Sequence, residues 1–442
     1  MILPVMRARR PLMSLTAALL VLGACKFPPP EDVPDDGAVD ASDACTPSTT
    51  TCNEDVLTVC DAEGHATNTA CTFGCAPSGD RCGDLAPSNG LAMYLDRART
   101  AAPVVLAGEA TVDTDTGRVT VGGNPFAVQG AIASSAPVEI FVIIAKSFEA
   151  NNVTVRGRRA LAIVSDGDVV LHGTLSVSAS HEVPGAGAGV ANDPAYTAHT
   201  GSAGQAGVGG AGGGGFGTAG GRGGNGGPNA GGEPGAIAGN ASLTPLRGGC
   251  PGASRNAIVN PEPLAEQPGA GGGAIQISTR STVHIGTAAF ITASGGGAKG
   301  ITGDFSCFEL IGDPPYCGAG SGGGAGGAIL IEAARLTIEN GGGVTANGGG
   351  GHCGAYGVAP DGRVARSTAA GTDCSAMSGA GSGGAGAAGE TAAFSGGDGQ
   401  TTGGGGGGGA GRIRINLPTG VPFDPSSAIV SPQPSLGTLL AR

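Results

Sequence analysis

The chain has 442 residues, carries a formal net charge of −12 and contains 89 glycines. This acidic balance excludes the basic surface that nucleic-acid binding needs, so we expect no nucleic-acid partner. Aromatic residues make up 3% and Trp is absent, which argues against a conventional globular core of this length. A glycine content about three times the usual one is typical of low-complexity disorder. The spacing of the glycines and aliphatic residues nevertheless indicates order.

Residues 1–24 have the features of an export signal. Arginines precede an apolar run that is too short to span a bilayer as a helix, which needs about 20 apolar residues. The run ends in Leu22-Gly23-Ala24-Cys25, which resembles the lipobox of bacterial lipoproteins. The resemblance implies that the chain is cut before Cys25 and that this cysteine carries the acyl chains. An ordinary secretory signal with a chance cysteine is the alternative.

Residues 25–44 are predicted to be an extended tether. They are rich in Pro, Asp and Glu, which favour extended and solvated backbone. Lys26 follows the lipidation cysteine where many inner-membrane lipoproteins have Asp, and this favours the outer membrane. We therefore expect an exported protein that is held to the cell envelope by its lipid anchor.

Residues 45–83 contain six closely spaced cysteines. They are Cys45, Cys52, Cys60, Cys71, Cys75 and Cys82. An even number of cysteines in a short exported segment predicts a disulfide module, because such a segment buries too little core to fold otherwise. Zinc is the competing interpretation, but the segment has no Cys-x-x-Cys pair. The spacing alone does not select one set of disulfide pairings.

Three stretches of alternating aliphatic residues can be aligned with one another. Residues 160–180 align with 274–294 without a gap, and 328–347 align with one deletion. Residues 412–415 begin a fourth copy. Each copy holds three short segments with period-two alternation, which indicates strands with one buried face.

Short strands that repeat in this way predict an all-β fold, a parallel β-helix or solenoid. Residues 84–159 are expected to form an N-terminal cap and the first coils, and residues 160–418 the β-helix. Residues 419–442 are expected to form a C-terminal tail. A β-sandwich is the alternative, but it does not explain why every insertion follows the third strand of a copy.

The glycine-rich insertions cover about 181–273, 295–327 and 348–411. They follow the same strand of each copy, so we expect them to leave one corner of the coil. Glycine often recurs at every third position, as at Gly217, Gly220 and Gly223. This period fits extended helices of about three residues per turn, whose backbones approach closely only at glycine. A packed polyglycine-II bundle and flexible loops both remain open, whereas collagen needs far more proline.

Five further cysteines lie in the glycine-rich insertions. We predict the pairs Cys307–Cys317 and Cys353–Cys374, which leaves Cys250 as the candidate for an unpaired thiol. Disulfides here would tie the insertions down and would favour an ordered bundle over flexible loops.

The search for catalytic chemistry nominates no residue. Asp166-Gly167-Asp168 has the composition of a turn, and the aligned second copy lacks its carboxylates. His172 and His284 are single histidines on predicted strands. Gly-x-Gly-x-x-Gly matches carry no information in this composition. We expect no cofactor and no metal.

The order of these parts resembles a family of glycine-rich lipoproteins of the myxobacterial type. The resemblance rests on the lipobox, the acidic tether, the cysteine module and coil segments such as 159–165, 326–333 and 407–416. It implies the architecture and the location, but the function of that family is uncharacterised. We expect a surface protein that binds polysaccharide or another cell-surface ligand, or a structural envelope component, and not an enzyme. A β-helical polysaccharide-active enzyme is the alternative.

Overall fold

The protein is described by a computed structural model. The described residues are 45–135, 138–189, 199–205, 208–254, 256–257, 264–265, 267–300, 318–353, 358–376 and 379–442. The predicted signal peptide, Cys25, the tether and the pair Cys307–Cys317 lie outside these residues. The described chain is nearly all β, with a disulfide-rich N-terminal region. No helix in the described part is long and apolar enough to cross a bilayer.

The disulfide-rich module is a small antiparallel sheet held by covalent links. Its strands are β1 (Thr50–Asn53), β2 (Val56–Cys60) and β3 (Ala66–Ala70), with β2 in the centre. Its disulfides are Cys45–Cys60, Cys52–Cys75 and Cys71–Cys82. Most side chains of these strands are exposed, so the disulfides supply the stability that burial does not. Disulfides persist in oxidising compartments, which indicates an extracellular or similarly oxidising environment.

A 16-stranded sheet forms the body of the protein. Its first part contains α1 (Ala92–Ala98), β4 (Val104–Asp113), β5 (Arg118–Val121), β6 (Asn124–Phe126), β7 (Gln129–Ser135), β8 (Val138–Ala145), β9 (Phe148–Arg156), β10 (Ala160–Ser165), β11 (Val169–Leu171) and β12 (Thr174–Ser176). A separate pair, β13 (Asn256–Ala257) and β14 (Leu264–Ala265), follows. The later strands are β15 (Ala274–Ile285), β16 (Phe290–Thr292), β17 (Ala328–Ile338), β18 (Gly343–Thr345), β19 (Arg412–Leu417), β20 (Ile429–Ser431) and β21 (Ser435–Thr438).

Most of these strands pair in three parallel ladders. The first ladder runs β8–β10–β15–β17–β19–β21, and the second runs β4–β9–β11–β15–β17. The third runs β4–β9–β12–β16–β18–β20. The strands β15 and β17 serve two ladders each, because an irregularity between Thr279 and Thr282 turns them from the first ladder into the second.

The ladders stack aliphatic side chains into columns that share one core. In the first ladder Leu161, Ile275, Ile329 and Ile413 are in register. All four belong to one buried cluster, as do the columns of the other two ladders. Each buried aliphatic side chain contributes about 1.5–3 kcal/mol, and the period-two alternation of the repeats is the sequence expression of these columns.

The first ladder is buried on its outer face as well. The segment around α1 covers part of this face, and residues of the first glycine-rich insertion cover the rest. The side chains buried between the sheet and these segments form a second hydrophobic cluster, to which Leu95 and Phe216 both belong. Residues 84–159 therefore supply both the first strands and a cover for the outer face of the first ladder.

Two sequence expectations were wrong in detail. The gapless alignment of 160–180 with 274–294 fails in the third ladder, where Leu175 pairs with Ile291 and not with Ala289. The turn before β16 is two residues longer than its counterpart and places Ala288 in the left-handed region, at φ 56°.

The predicted C-terminal tail is also part of the sheet. Within 419–442, β20 extends the third ladder and β21 extends the first. The chain then returns to the start of the body, where Ala441 pairs with Leu85. The side chain of Arg442 donates to Asp96 at 2.6 Å and to the carbonyl of Leu85 at 3.0 Å.

Candidate contact surface in the glycine-rich insertions

The glycine-rich insertions are hydrogen-bonded to one another through their backbones. In segment 402–411, the N–H groups of Gly403, Gly406 and Gly409 donate to the carbonyls of residues 208, 211 and 214 at 2.8–2.9 Å. Both partners advance by three residues at each bond. This period of three is the one seen in the glycine spacing. Every third backbone N–H group of the segment therefore donates to the same neighbouring segment.

Segment 402–411 has six hydrogen-bonded neighbours. They are 208–217, 218–226, 318–327, 346–353, 379–388 and 393–399. Segments 208–217, 318–327 and 346–353 are surrounded by six neighbours in the same way. These four interior segments, with those around them, are called the glycine bundle below.

Runs of consecutive glycine mark the interior of the glycine bundle. A Cβ atom added at Gly405, Gly406 or Gly407 would overlap the backbone oxygen of Ser321, Gly221 or Ala385 respectively. These oxygens belong to three different segments, so none of these three consecutive positions tolerates a side chain. An outer segment has one face in solvent, so only two positions of three are crowded. Residues 218–226 show this, because Gly220 and Gly221 are crowded whereas Arg222 is exposed.

One side of the glycine bundle is open to solvent. It is formed by segments 218–226, 229–238 and 393–399, which we call the open face. The opposite side, around 267–273, is covered in part by residues 181–189, since Ala270 donates to the carbonyl of His181 and Gly185 donates to Gly271.

The segments of the open face carry mainly small and polar side chains, together with two exposed apolar ones, Ile237 and Phe394. The outward residues are Ala219, Arg222, Asn225, Glu233, Ala236, Ser395 and Asp398. Arg222 and Glu233 form an ion pair at 3.2 Å, and Asp398 accepts a hydrogen bond from the backbone N–H of Asn225 at 2.7 Å. The charges are thus largely satisfied within the face. Because neighbouring outward positions are three residues apart along each segment, polar groups recur at about 9 Å along the chain direction.

The glycine bundle is continuous with the sheet. The insertions follow β12, β16 and β18, all in the third ladder, and return to β15, β17 and β19, all in the first. All three insertions therefore run from the third ladder to the first. A disulfide joins Cys353 to Cys374, one of the two pairings expected from the sequence, and ties an interior segment to an outer one. Cys250 is fully buried.

The residues that were weighed for chemistry serve the fold. Asp166 forms ion pairs with Lys146 and Arg280, and Asp168 accepts hydrogen bonds from Ser281 and Thr282. His172 lies 3.0 Å from Glu149 and His284 lies 3.1 Å from Glu339, both on the outer surface. Among the described residues, no three His, Cys, Asp or Glu side chains converge as metal ligands.

The open face was only partly predictable. The period of three predicted close backbone packing, whereas the signal that would have located the crowded interior is the run of consecutive glycines at 403–409. Comparison of the chain with protein-family models, curated proteins and solved structures gave no match.

Proposed function

We propose that this protein is a lipid-anchored binding protein of the cell surface, and that the open face is its contact surface for polysaccharide. In this proposal the three ladders form a parallel β-helix, and the glycine bundle is a polyglycine-II bundle built into one of its corners. The acyl chains on Cys25 hold the protein to the outer membrane.

The observation that carries the proposal is the order of the open face. Its outer segments are fixed by backbone hydrogen bonds to interior segments, so the polar groups occupy set positions before any ligand arrives. Pre-ordered groups lose little conformational entropy on binding. A flat and regular array of this kind suits a polymer that presents repeating hydroxyl groups, because many weak contacts then form together.

The placement of the disulfide module also supports the proposal. The module contacts the body beside Arg280 and Arg335, where the chain passes from the first ladder to the second. The glycine bundle leaves from the corner between the third and first ladders. The tether enters through Cys45 of the module, so the anchor and the open face are attached to different corners. This arrangement leaves the face accessible while the anchor is in a membrane.

The test is binding of the full exported chain, made soluble by Cys25→Ser, to a panel of insoluble bacterial and plant polysaccharides. Bound protein and released reducing ends are measured together. Ala236→Arg and Ser395→Arg change outward residues and leave the interior intact, and we expect each to reduce binding at least tenfold. Thr337→Arg, on an exposed position of β17, is the matched control.

Each other outcome contradicts the proposal. Equal binding by Ala236→Arg, Ser395→Arg and the parent chain would place the contact elsewhere. Release of sugar would favour the polysaccharide-active enzyme. The absence of both polysaccharide binding and sugar release would favour a structural role in the envelope.

A further inference from the structure

A second candidate site lies away from the open face, in a cleft between the disulfide module and the body. The cleft has a volume of about 680 Å³. The module contributes Asp55 and residues 70–75 to its wall, and the body contributes residues 280–282 and 418–419, together with Arg335. The size is within the usual range of about 300–1,000 Å³ for small-molecule sites.

Arg335 is the cation in this cleft that is available to a ligand. It is exposed at the second-ladder end of β17, and its guanidinium makes no hydrogen bond or ion pair with the described residues. Arg280 lines the same cleft but is engaged by Asp84 at 2.6 Å, Asp166 at 2.9 Å and Asp96 at 3.1 Å. All five N–H donors of Arg335 thus remain for a planar acceptor, and a carboxylate matches their geometry.

The rest of the lining suits a sugar. Thr72, Thr282 and Thr419 line the cleft, and their hydroxyls make no hydrogen bond within the described chain. Phe73 also lines it, half-buried against the outer cluster of the first ladder. An aromatic ring beside free hydroxyls is able to pack against the C–H face of a sugar while the hydroxyls bond its rim. Aromatic residues are only 3% of this chain, so few positions offer such a combination.

The net charge of the cleft lining decides which kind of anionic ligand it favours. Asp55 on the module wall makes no side-chain hydrogen bond with the described residues, and the charge of Arg280 is compensated by its aspartates. Arg335 and Asp55 therefore leave the lining close to neutral. A phosphate or a polyanion gains little from such a lining, whereas a ligand with one carboxylate and several hydroxyls satisfies Arg335 and Asp55 together.

We propose that this cleft binds a uronic-acid-containing saccharide of one or two rings. Arg335 holds the carboxylate, Asp55 and the threonines bond the hydroxyls, and Phe73 packs against a ring. The site is separate from the open face and does not depend on the function proposed for that face.

The test is titration of the full chain carrying Cys25→Ser with cellobiouronate, a disaccharide that differs from cellobiose by one carboxylate, with cellobiose and with inorganic phosphate, followed by calorimetry and NMR. We expect saturable binding of cellobiouronate, and binding at least tenfold weaker for cellobiose and phosphate. Arg335→Gln removes the charge at an exposed position and should weaken cellobiouronate binding at least tenfold. Phe73→Leu keeps an apolar side chain but removes the flat ring, and should weaken binding of the same ligand.

Arg118→Gln, at an exposed position of β5 outside both the cleft and the open face, is the matched control and should leave cellobiouronate binding unchanged. Failure of one site is distinguishable from failure of the other, because the cleft and the open face are tested with different variants and different ligands. Absence of saturable binding would overturn the proposal. Equal affinity of Arg335→Gln and the parent chain, or tighter binding of phosphate than of cellobiouronate, would overturn it as well.

Discussion

Glu332 accepts hydrogen bonds from both the backbone N–H and the Oγ of Ser88, at 3.0 and 2.7 Å, although 244 residues separate the two in sequence. The carboxylate is buried, with 2% of its residue surface exposed. Gln276, Ser278 and Asn416 also donate to it. Glu332 therefore joins three strands of the first ladder, β15, β17 and β19, to the segment that covers their outer face.

We expect Glu332→Ala to destabilise the protein strongly. The substitution leaves several buried donors without an acceptor, and each such group costs about 1–3 kcal/mol. The free energy of unfolding, measured by chemical denaturation, should fall by about 3 kcal/mol. Glu390→Ala removes an exposed carboxylate and should change it by less than about 0.5 kcal/mol. Similar losses in the two variants would mean that the Glu332 network contributes little.

The ion pairs of Arg280 predict how stability depends on pH. Burial opposes ionisation of Asp84 and Asp166, but nearby cations hold the pKa of each carboxyl below its ordinary value of 3.8. For Asp84 the cations are Arg280, which also donates hydrogen bonds, Arg442 and Arg99. For Asp166 they are Lys146 and Arg280, and both donate hydrogen bonds to it. A lowered pKa in the folded state stabilises the protein above the unfolded pKa, and this contribution is lost as the pH falls through the folded pKa.

Stability should therefore fall below about pH 4. Arg280→Gln should be less stable than the parent chain at pH 6 and should lose less stability between pH 5 and 2, which melting temperatures across this range will measure. Parallel pH profiles for the two proteins would contradict this account.

Substitution of an interior glycine should cost more than a substitution at the surface. Gly406→Ala places a methyl group onto the backbone oxygen of Gly221, and we expect a loss of about 3 kcal/mol in unfolding free energy. Ser395→Ala, on the open face, should have an effect below about 0.5 kcal/mol. Thermal denaturation of the two variants measures the contrast, and equal midpoints would show that the glycine bundle is loosely packed.

The disulfide between Cys353 and Cys374 should contribute measurably to stability. A covalent loop of this length, with a sequence separation of 21, stabilises a protein by about 3 kcal/mol. The double substitution Cys353→Ala with Cys374→Ala should lower the melting temperature, and Ser375→Ala should not. Peptide mapping without reduction should recover this pair and the three module disulfides, and any other partner for Cys353 would refute the assignment.

Lipidation of Cys25 is tested by its removal. We expect the parent protein to incorporate labelled fatty acid and to partition into detergent, and Cys25→Ser to do neither. Substitution of Lys26 by Asp should move the protein from the outer to the inner membrane fraction. Equal labelling of Cys25→Ser and the parent protein would exclude this cysteine as the anchor.

The sequence predicted the parts of the fold that local patterns encode. The alternation around Leu161, Ile275 and Ile329 identified strands that the structure places in register. The register of Ile291 was missed because the gapless alignment matches Ala179-Ser180 with Ala293-Ser294 and thereby places Leu175 opposite Ala289. The burial of Ile291 opposite Leu175 decides the register instead.

The candidate sites were harder to predict than the strands. The disulfide pairings depend on the turns of a three-stranded sheet, and many pairings satisfy the same spacing. The cleft joins Phe73 to Arg335, which have no sequence relationship and meet only because the module packs beside β17. The open face needed the distinction between consecutive and period-three glycine, which has a physical meaning only once the number of neighbours around each segment is known.

Segment 402–411 is the centre of six neighbours, and it follows every one of them in the chain. Its bonds to 208–217 span almost the whole set of insertions, so they close long loops and are expected to form slowly. The earlier insertions therefore have no completed lattice to join until this stretch emerges. Export in an unfolded state would keep the whole set apart until the last glycine run has crossed the membrane, after which assembly is a single late event rather than a gradual one.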